Sequence, residues 1–206
     1  MPADVPMLKI AQTLPATRAE GPGVRFAIWF QGCPLRCPEC CNPEMLPLDG
    51  GTEVQPRELI DQIAWAQDEH SIEGITLLGG EPFVHAATAA EVAEQVRKRG
   101  LSVMVFTGYE LTTLRSASDV AVQRLLGQTD LLIDGPYDRN RPDTSRRWVG
   151  STNQGIHFLT DRYSMNDPCW SERDTLEIRM QDGEVTVNGF PADHARSLWK
   201  LTEQRS

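Results

Sequence analysis

Cys33, Cys37 and Cys40 stand in a C-x3-C-x2-C spacing within Cys33-Pro34-Leu35-Arg36-Cys37-Pro38-Glu39-Cys40-Cys41, so four of the five cysteines fall within nine residues. Pro34 and Pro38 exclude a continuous helix, which puts the thiols on a loop where three can converge on one centre. With Cys169 alone, this crowding fits a metal site better than a disulfide framework in a reducing compartment. Closed structural zinc sites and ordinary iron-sulfur sites use four ligands. Three cysteines therefore leave two readings: structural zinc completed by a distant His or by Cys169, or a centre with one open coordination position. Cys41 is a poor fourth ligand, since adjacent side chains tend to point apart.

A second group of interest is Gly79-Gly80-Glu81-Pro82, about 40 residues beyond the cysteines. Two glycines let backbone approach a ligand closely, and Glu81 offers an acceptor for a cationic amine. Taken alone, a Gly-Gly pair is a tight turn. Phe106-Thr107-Gly108-Tyr109-Glu110 and Leu132-Ile133-Asp134-Gly135-Pro136-Tyr137 are two further polar or glycine-rich segments that follow apolar runs.

The elements that must position these residues are legible in the spacing of apolar positions. Residues 24 to 30 predict a strand that delivers the chain to the cysteines. Gln55-Pro56 opens a helix with Leu59, Ile60, Ile63 and Ala64 on one face, Pro56 fitting the first helical position. The run 74 to 78 predicts a buried strand, and 86 to 99 a helix through Ala89, Val92, Ala93 and Val96 that Gly100 stops. A strand over 101 to 106, a weaker helix over about 118 to 126 and a strand over 130 to 134 continue the alternation. Strands alternating with helices imply parallel βαβ units, whose carboxyl edge holds the ligand. The expected fold is α/β, a partial (βα) barrel of parallel strands with a small C-terminal extension. In that extension, 176 to 180 and 184 to 187 predict a hairpin with an Asp182-Gly183 turn, and about 193 to 203 a short closing helix. Residues 160 to 174 read as a loop.

The chain of 206 residues, 40% hydrophobic and 24% charged, is expected to be a single domain, with a core over about 21–154 and the extension over about 160–206. Its 20 Lys+Arg against 29 Asp+Glu, a formal charge of -9, argue against nucleic acid or an acidic membrane as partners. Neither a membrane span nor a leader segment is recognisable, so the cytoplasm is the expected location.

Gly21-Pro22-Gly23-Val24-Arg25 followed by Gly32-Cys33-Pro34-Leu35-Arg36-Cys37-Pro38-Glu39-Cys40-Cys41-Asn42-Pro43 resembles the start of the radical S-adenosylmethionine (SAM) activating enzymes of glycyl radical enzymes. Gly79-Gly80-Glu81-Pro82 is similar to that family's GGEP motif. The segments at Thr107-Gly108-Tyr109, at Asp134-Gly135-Pro136-Tyr137 and at Arg147 to Gln154 resemble those of activating proteins of anaerobic ribonucleotide reductase. Two positions depart from the pattern: Glu39 stands where many members carry an aromatic residue, and Cys41 where His or Tyr is frequent.

The resemblance implies a radical SAM oxidoreductase of the activating type, with one 4Fe-4S cluster on Cys33, Cys37 and Cys40 and SAM chelating the fourth iron. It implies SAM contacts from Asn42, Gly79, Gly80, Glu81, Pro82, Thr107, Gly108 and Asp134. It also implies reductive cleavage of SAM to a 5'-deoxyadenosyl radical that abstracts a hydrogen atom, the cofactor carrying the hard chemistry. The implied partners are a glycyl radical enzyme and a reductant such as flavodoxin or ferredoxin. Alternatives are a stand-alone radical SAM enzyme acting on a peptide or small metabolite, and a non-enzymatic metal-binding module.

Weaker signals have bland counterparts. Cys169 reads as a hydrogen donor or a bystander thiol, and His85 and His157 as acid-base groups or packing residues. Arg146 and Arg147 read as anion contacts or solvated cations. Trp148 reads as channel lining or core. Trp29, Phe30 and Trp65 fit core packing.

Overall fold

The computed structural model describes residues 6–172, 175–181 and 184–189. Strands β1 (Leu8–Thr17), β2 (Arg25–Phe30), β3 (Thr52–Val54), β4 (Gly74–Gly79), β5 (Ser102–Phe106), β6 (Leu131–Asp134) and β7 (Gly155–Phe158) form a seven-stranded sheet in the order β3-β1-β2-β4-β5-β6-β7. The centre, β2-β4-β5-β6, is parallel. Antiparallel β1 and β7 flank it, and β3 pairs antiparallel with β1. Helices α1 (Pro56–His70), α2 (Ala86–Lys98), α3 (Leu111–Ser116) and α4 (Val120–Gln128) make the crossovers, and β8 (Leu176–Gln181) with β9 (Glu184–Gly189) forms a separate hairpin. The fold is thus mixed α/β, as expected. The predicted Asp182-Gly183 turn and the helix at 193 to 203 lie outside the described residues.

The central strands are buried on both faces, which is why they read as continuous apolar runs. Phe26, Ile28 and Phe30 of β2, Ile75 and Leu77 of β4, Val103 and Val105 of β5 and Leu132 of β6 face the helices. There they meet Leu59, Ile63 and Ala66 of α1 and Ala89, Val92, Ala93 and Val96 of α2. Each large side chain so buried contributes about 1.5 to 3 kcal/mol. Pro56 is the first residue of α1, and Gly100, at φ +82°, follows α2, both as the sequence predicts. Trp65 does not pack in the core as expected: it lies on the outer face of α1, 53% exposed.

The opposite face carries Ala27, Trp29, Leu78, Met104, Leu131 and Ile133, with Trp148 beneath. Arg25 is wholly buried there. Its guanidinium donates to Thr76 Oγ1 at 2.6 Å, Ser102 Oγ at 3.0 Å, the Pro22 carbonyl at 3.1 Å, Tyr163 Oη at 3.3 Å and the Ile75 carbonyl. Its hydrogen-bond acceptors are all neutral, and the Asp130 carboxylate acts on it only through space.

Three strands and one helix escape the apolar-run reading. β1 carries Pro15 and two register shifts, between Ile10 and Gln12 and between Leu14 and Thr17, which scramble its alternation. β3 and β7 are three and four residues long, and α3 has only six. Among the described residues, no helix is long and apolar enough to cross a membrane.

Candidate functional site

Strand β2 runs directly into the cysteine loop. Gly32 N–H donates to the Met45 carbonyl at 2.8 Å and Cys33 N–H to the Leu46 carbonyl at 3.1 Å, so the loop closes at its neck. Within it, Arg36 (φ 53°) and Glu39 (φ 52°) take left-handed backbone conformations, each immediately before a cysteine. These turns are sterically costly for side-chain-bearing residues and are held by the loop's own closure. Cys33 is buried, Cys37 and Cys40 are half-buried and Cys41 is exposed. Among the described residues no three Cys, His, Asp or Glu side chains form a ready-made metal-binding set.

The thiols differ in character. Burial pushes Cys33 up, while the backbone N–H groups of Leu35 and Arg36 pull it back. A hydrogen bond from Cys41, supported by the Asn42 N–H at 3.5 Å, brings Cys40 down to about 6. Cys40 and Cys41 thus touch rather than point apart as expected. Asn42 serves the loop through its backbone, its carbonyl also accepting from Met45 N–H at 3.1 Å.

The glycine turn lies against this neck. Gly79, at φ +96°, needs a conformation that side-chain-bearing residues rarely adopt. A Cβ on Gly80 would fall 2.5 Å from the Gly32 carbonyl oxygen. Two backbone hydrogen bonds need that closeness: Gly80 N–H to the Phe30 carbonyl at 2.8 Å and Glu81 N–H to the Gly32 carbonyl at 2.9 Å. Pro82 starts a 3-10 turn, Pro82–His85, for which Glu81 is the cap, accepting Phe83 N–H at 3.0 Å.

Glu81 also gathers the next strand tip. Its carboxylate accepts the Thr107 hydroxyl at 2.9 Å and Gly108 N–H at 3.0 Å. Burial raises its pKa to about 7, against the pull of those donors. The Tyr109 phenol is pushed up by burial and by the charges of Glu81 and Cys33. Gly108 meets the cysteine loop itself, since a Cβ there would lie 2.4 Å from Leu35 Cδ1.

Gly79, Gly80, Glu81, Pro82, Thr107 and Gly108 therefore come together beside the cysteine loop. Asp134 stands one strand further on and is engaged elsewhere. Its carboxylate accepts Leu111 N–H at 2.6 Å and Gly155 N–H at 3.1 Å, and lies 2.9 Å from His157 Nε2. With Glu110, Arg115, Arg141 and Asn153 it lines a cleft of about 570 Å³ at the β6 end.

Most of the weaker signals have structural partners. Arg146 pairs with Asp143 at 2.6 Å and reaches the Gln154 carbonyl. Buried Arg147 reaches Glu172 and the Cys169 carbonyl, each at 2.8 Å, and lies 4.2 Å over Trp148. Neither arginine is a free anion contact or a solvated cation. Trp148 is core, edge-on to Trp170 at 5.2 Å. Burial pushes the Cys169 thiol up, away from reactivity.

A family described as "4Fe-4S single cluster domain" matches residues 19–157. An anaerobic ribonucleoside-triphosphate reductase-activating protein of Escherichia coli K12 is 31% identical over 155 residues, covering 72% of this chain and 97% of that protein. Its counterpart from Vibrio cholerae is 31% identical over 156 residues, covering 72% and 97%. The pyruvate formate-lyase-activating enzyme of Listeria monocytogenes is 26% identical over 171 residues, covering 80% of this chain and 67% of that enzyme.

Proposed function

Since the chain belongs to the 4Fe-4S single cluster domain family, among the activating proteins of anaerobic ribonucleoside-triphosphate reductase, we propose that it generates a glycyl radical on a partner enzyme by radical SAM chemistry. The observation that carries this reading is the junction at the strand tips. A three-cysteine loop and a Gly-Gly-Glu turn are zipped backbone to backbone there, and the buried carboxylate beside them has no cation partner among the described residues.

The residues present suit a 4Fe-4S cluster and SAM. Cys33, Cys37 and Cys40 would supply three thiolates and leave one iron open. Gly79 and Gly80 seat the turn directly against the backbone of Trp29, Phe30 and Gly32, where a Cβ would clash, and so hold Glu81 beside the cysteine loop. Glu81, raised to about 7 by burial, would return to the ionised form on accepting N–H hydrogen bonds from the amino group of SAM. Thr107 and Gly108 aim that carboxylate, Pro82 starts the turn that Glu81 caps, Asn42 steadies Cys40 through its backbone N–H, and SAM would extend toward Asp134 in the cleft at the β6 end. When bound, the cluster and SAM supply a one-electron reductive cleavage that yields methionine and a 5'-deoxyadenosyl radical able to take a hydrogen atom from glycine.

The protein's own work is positioning and exclusion. The neck of the loop and the glycine turn fix one reactant against the other, and the buried Glu81 group keeps water from the amine. We read the open sheet as a partial (βα) barrel within one domain, residues 1–206, whose hairpin extension lies beyond the family match. The partner would present a glycine-bearing loop, and a flavodoxin or ferredoxin in the cytoplasm would deliver the electron. Nucleic acid and membrane have no part in it.

The test is anaerobic reconstitution followed by reduction with dithionite. The expected result is 5'-deoxyadenosine from SAM, faster with the partner present, and deuterium carried from the partner's glycine into it. No 5'-deoxyadenosine under any reducing condition overturns the reading. Label arriving from a small molecule instead overturns the partner assignment alone.

A further inference from the structure

Residues 30 to 33 join the cysteine loop to the glycine turn through more than backbone. The carbonyls of Phe30, Gln31 and Gly32 accept, in succession, from Gly80 N–H at 2.8 Å, His85 Nε2 at 3.0 Å and Glu81 N–H at 2.9 Å. Gln31 N–H pairs with the Lys9 carbonyl at 2.9 Å, and the remaining donors of residues 31 to 33 point to the loop's exit. Gln31 Nε2 reaches the carbonyls of Glu44 at 3.2 Å and Pro47 at 2.8 Å, while the N–H groups of Gly32 and Cys33 take the two carbonyls between them, Met45 and Leu46. Four consecutive carbonyls at the loop's exit are thus held from its entrance, and one side-chain amide supplies the outer two.

The surroundings are shaped to that amide. Gln31 is buried, and a Cβ on Gly51 would come 2.7 Å from its Cβ. His85 is fixed in turn by stacking on Phe30, with ring centroids 5.3 Å apart at 23°. Each side chain donates to a carbonyl, so removing either leaves a half-buried acceptor without its partner and loosens one side of the junction.

We propose that Gln31 and His85 are positioning residues: Gln31 clamps the neck of the cysteine loop, and His85 locks that neck to the turn that receives SAM. Neither touches the reacting atoms. Their effect is the distance and angle between the cluster's open iron and the SAM sulfonium, and a misplacement of about 1 Å costs roughly a hundredfold in rate. The inference rests on the radical SAM reading for its consequence, but its geometry can be tested without cofactors.

The experiment uses the full chain with Gln31→Met, which keeps length but loses the donor, His85→Phe, which keeps the stack but loses the donor, and His85→Gln, which restores a donor. In metal-free protein, amide exchange at Gly32, Cys33 and Glu81 should quicken about tenfold in Gln31→Met and His85→Phe, the weight of one such hydrogen bond. In reconstituted protein, kcat for SAM cleavage should fall about tenfold or more while KM for SAM stays within about twofold, and His85→Gln should recover most of the loss. Wild-type exchange in both donorless variants overturns the proposal, as does equal impairment of His85→Gln and His85→Phe. If Gln31→Met fails to fold, the two His85 variants decide alone. If wild-type protein cleaves no SAM, the functional reading fails, and the metal-free exchange still tests the clamp.

Discussion

The Glu81 carboxylate holds Gly108 N–H at 3.0 Å across the gap between β4 and β5, and no cation is among the groups that set its titration. An acceptor placed this way binds a positive charge only when ionised. With a pKa raised to about 7, it is half protonated at neutral pH before any ligand arrives. SAM affinity should therefore be full above pH 8 and fall as pH drops through 7. Glu81→Ala should weaken binding about tenfold to a hundredfold, flatten that pH profile and leave iron content unchanged. Calorimetry between pH 6 and 8 checks both effects.

Gly80→Ala and Gly108→Ala should differ, although both glycines are tightly enclosed. At Gly80 the new methyl meets backbone, the Gly32 oxygen at 2.5 Å and the Phe30 oxygen at 2.9 Å, so the zipper itself must part. At Gly108 it meets the tip of Leu35, which can rotate away. We expect about 1 to 3 kcal/mol of lost stability and greatly weakened SAM binding for Gly80→Ala, and under about 1 kcal/mol for Gly108→Ala. Thermal melts and SAM titration measure the contrast.

Glu20 supplies a pH dependence unconnected with SAM. Buried beneath the hairpin, with hydrogen bonds from Asn188 and the Gly189 backbone, it is raised from 4.5 to about 7 by loss of water. Between those values the folded protein holds a proton that the unfolded chain releases, so stability declines as pH rises from about 5 to 7. Glu20→Gln should remove Glu20's share of the slope and raise the melting temperature at pH 8. Melts of the metal-free protein at several pH values provide the check.

Alanine at Cys33, Cys37 or Cys40 should abolish the brown 4Fe-4S absorption after anaerobic reconstitution. Cys41→Ala and Cys169→Ala should retain it. Because Cys41 donates to Cys40 and lowers its pKa, Cys41→Ala should slow cluster assembly at pH 6.5 more than at pH 8.5. Iron content against time at the two pH values reads this out.

What the sequence reveals of this site is what lies close together along the chain. The cysteine spacing, the Gly-Gly-Glu turn and the three central strands that end in polar tips are all local patterns. β1 was hidden by Pro15 and by bulges that break its alternation, and α3 by its brevity. Glu81 shows the same boundary at the level of one side chain. Its acceptor role is readable, but its engagement with Thr107 and Gly108, 26 and 27 residues away, depends on strand pairing. Gln31 was missed because its partners, 13 and 16 residues on, are backbone carbonyls that no residue type announces. Trp65 misleads in the opposite sense, since a bulky aromatic between buried neighbours on a helix can still fall on the wet face.

The position of the four parallel strands within the sheet governs how a large substrate can approach. Each has a hydrogen-bonded neighbour on both sides, and among the described residues the sheet's two margins belong to β3 and β7, neither of which carries a cysteine or the glycine turn. A peptide therefore cannot reach the junction by adding itself as an extra strand alongside β2 or β4. It has to arrive end-on, over the strand tips, as a loop pushed point-first toward Gly79 and the cysteines. A partner that buries its target residue in its own interior must first extrude it.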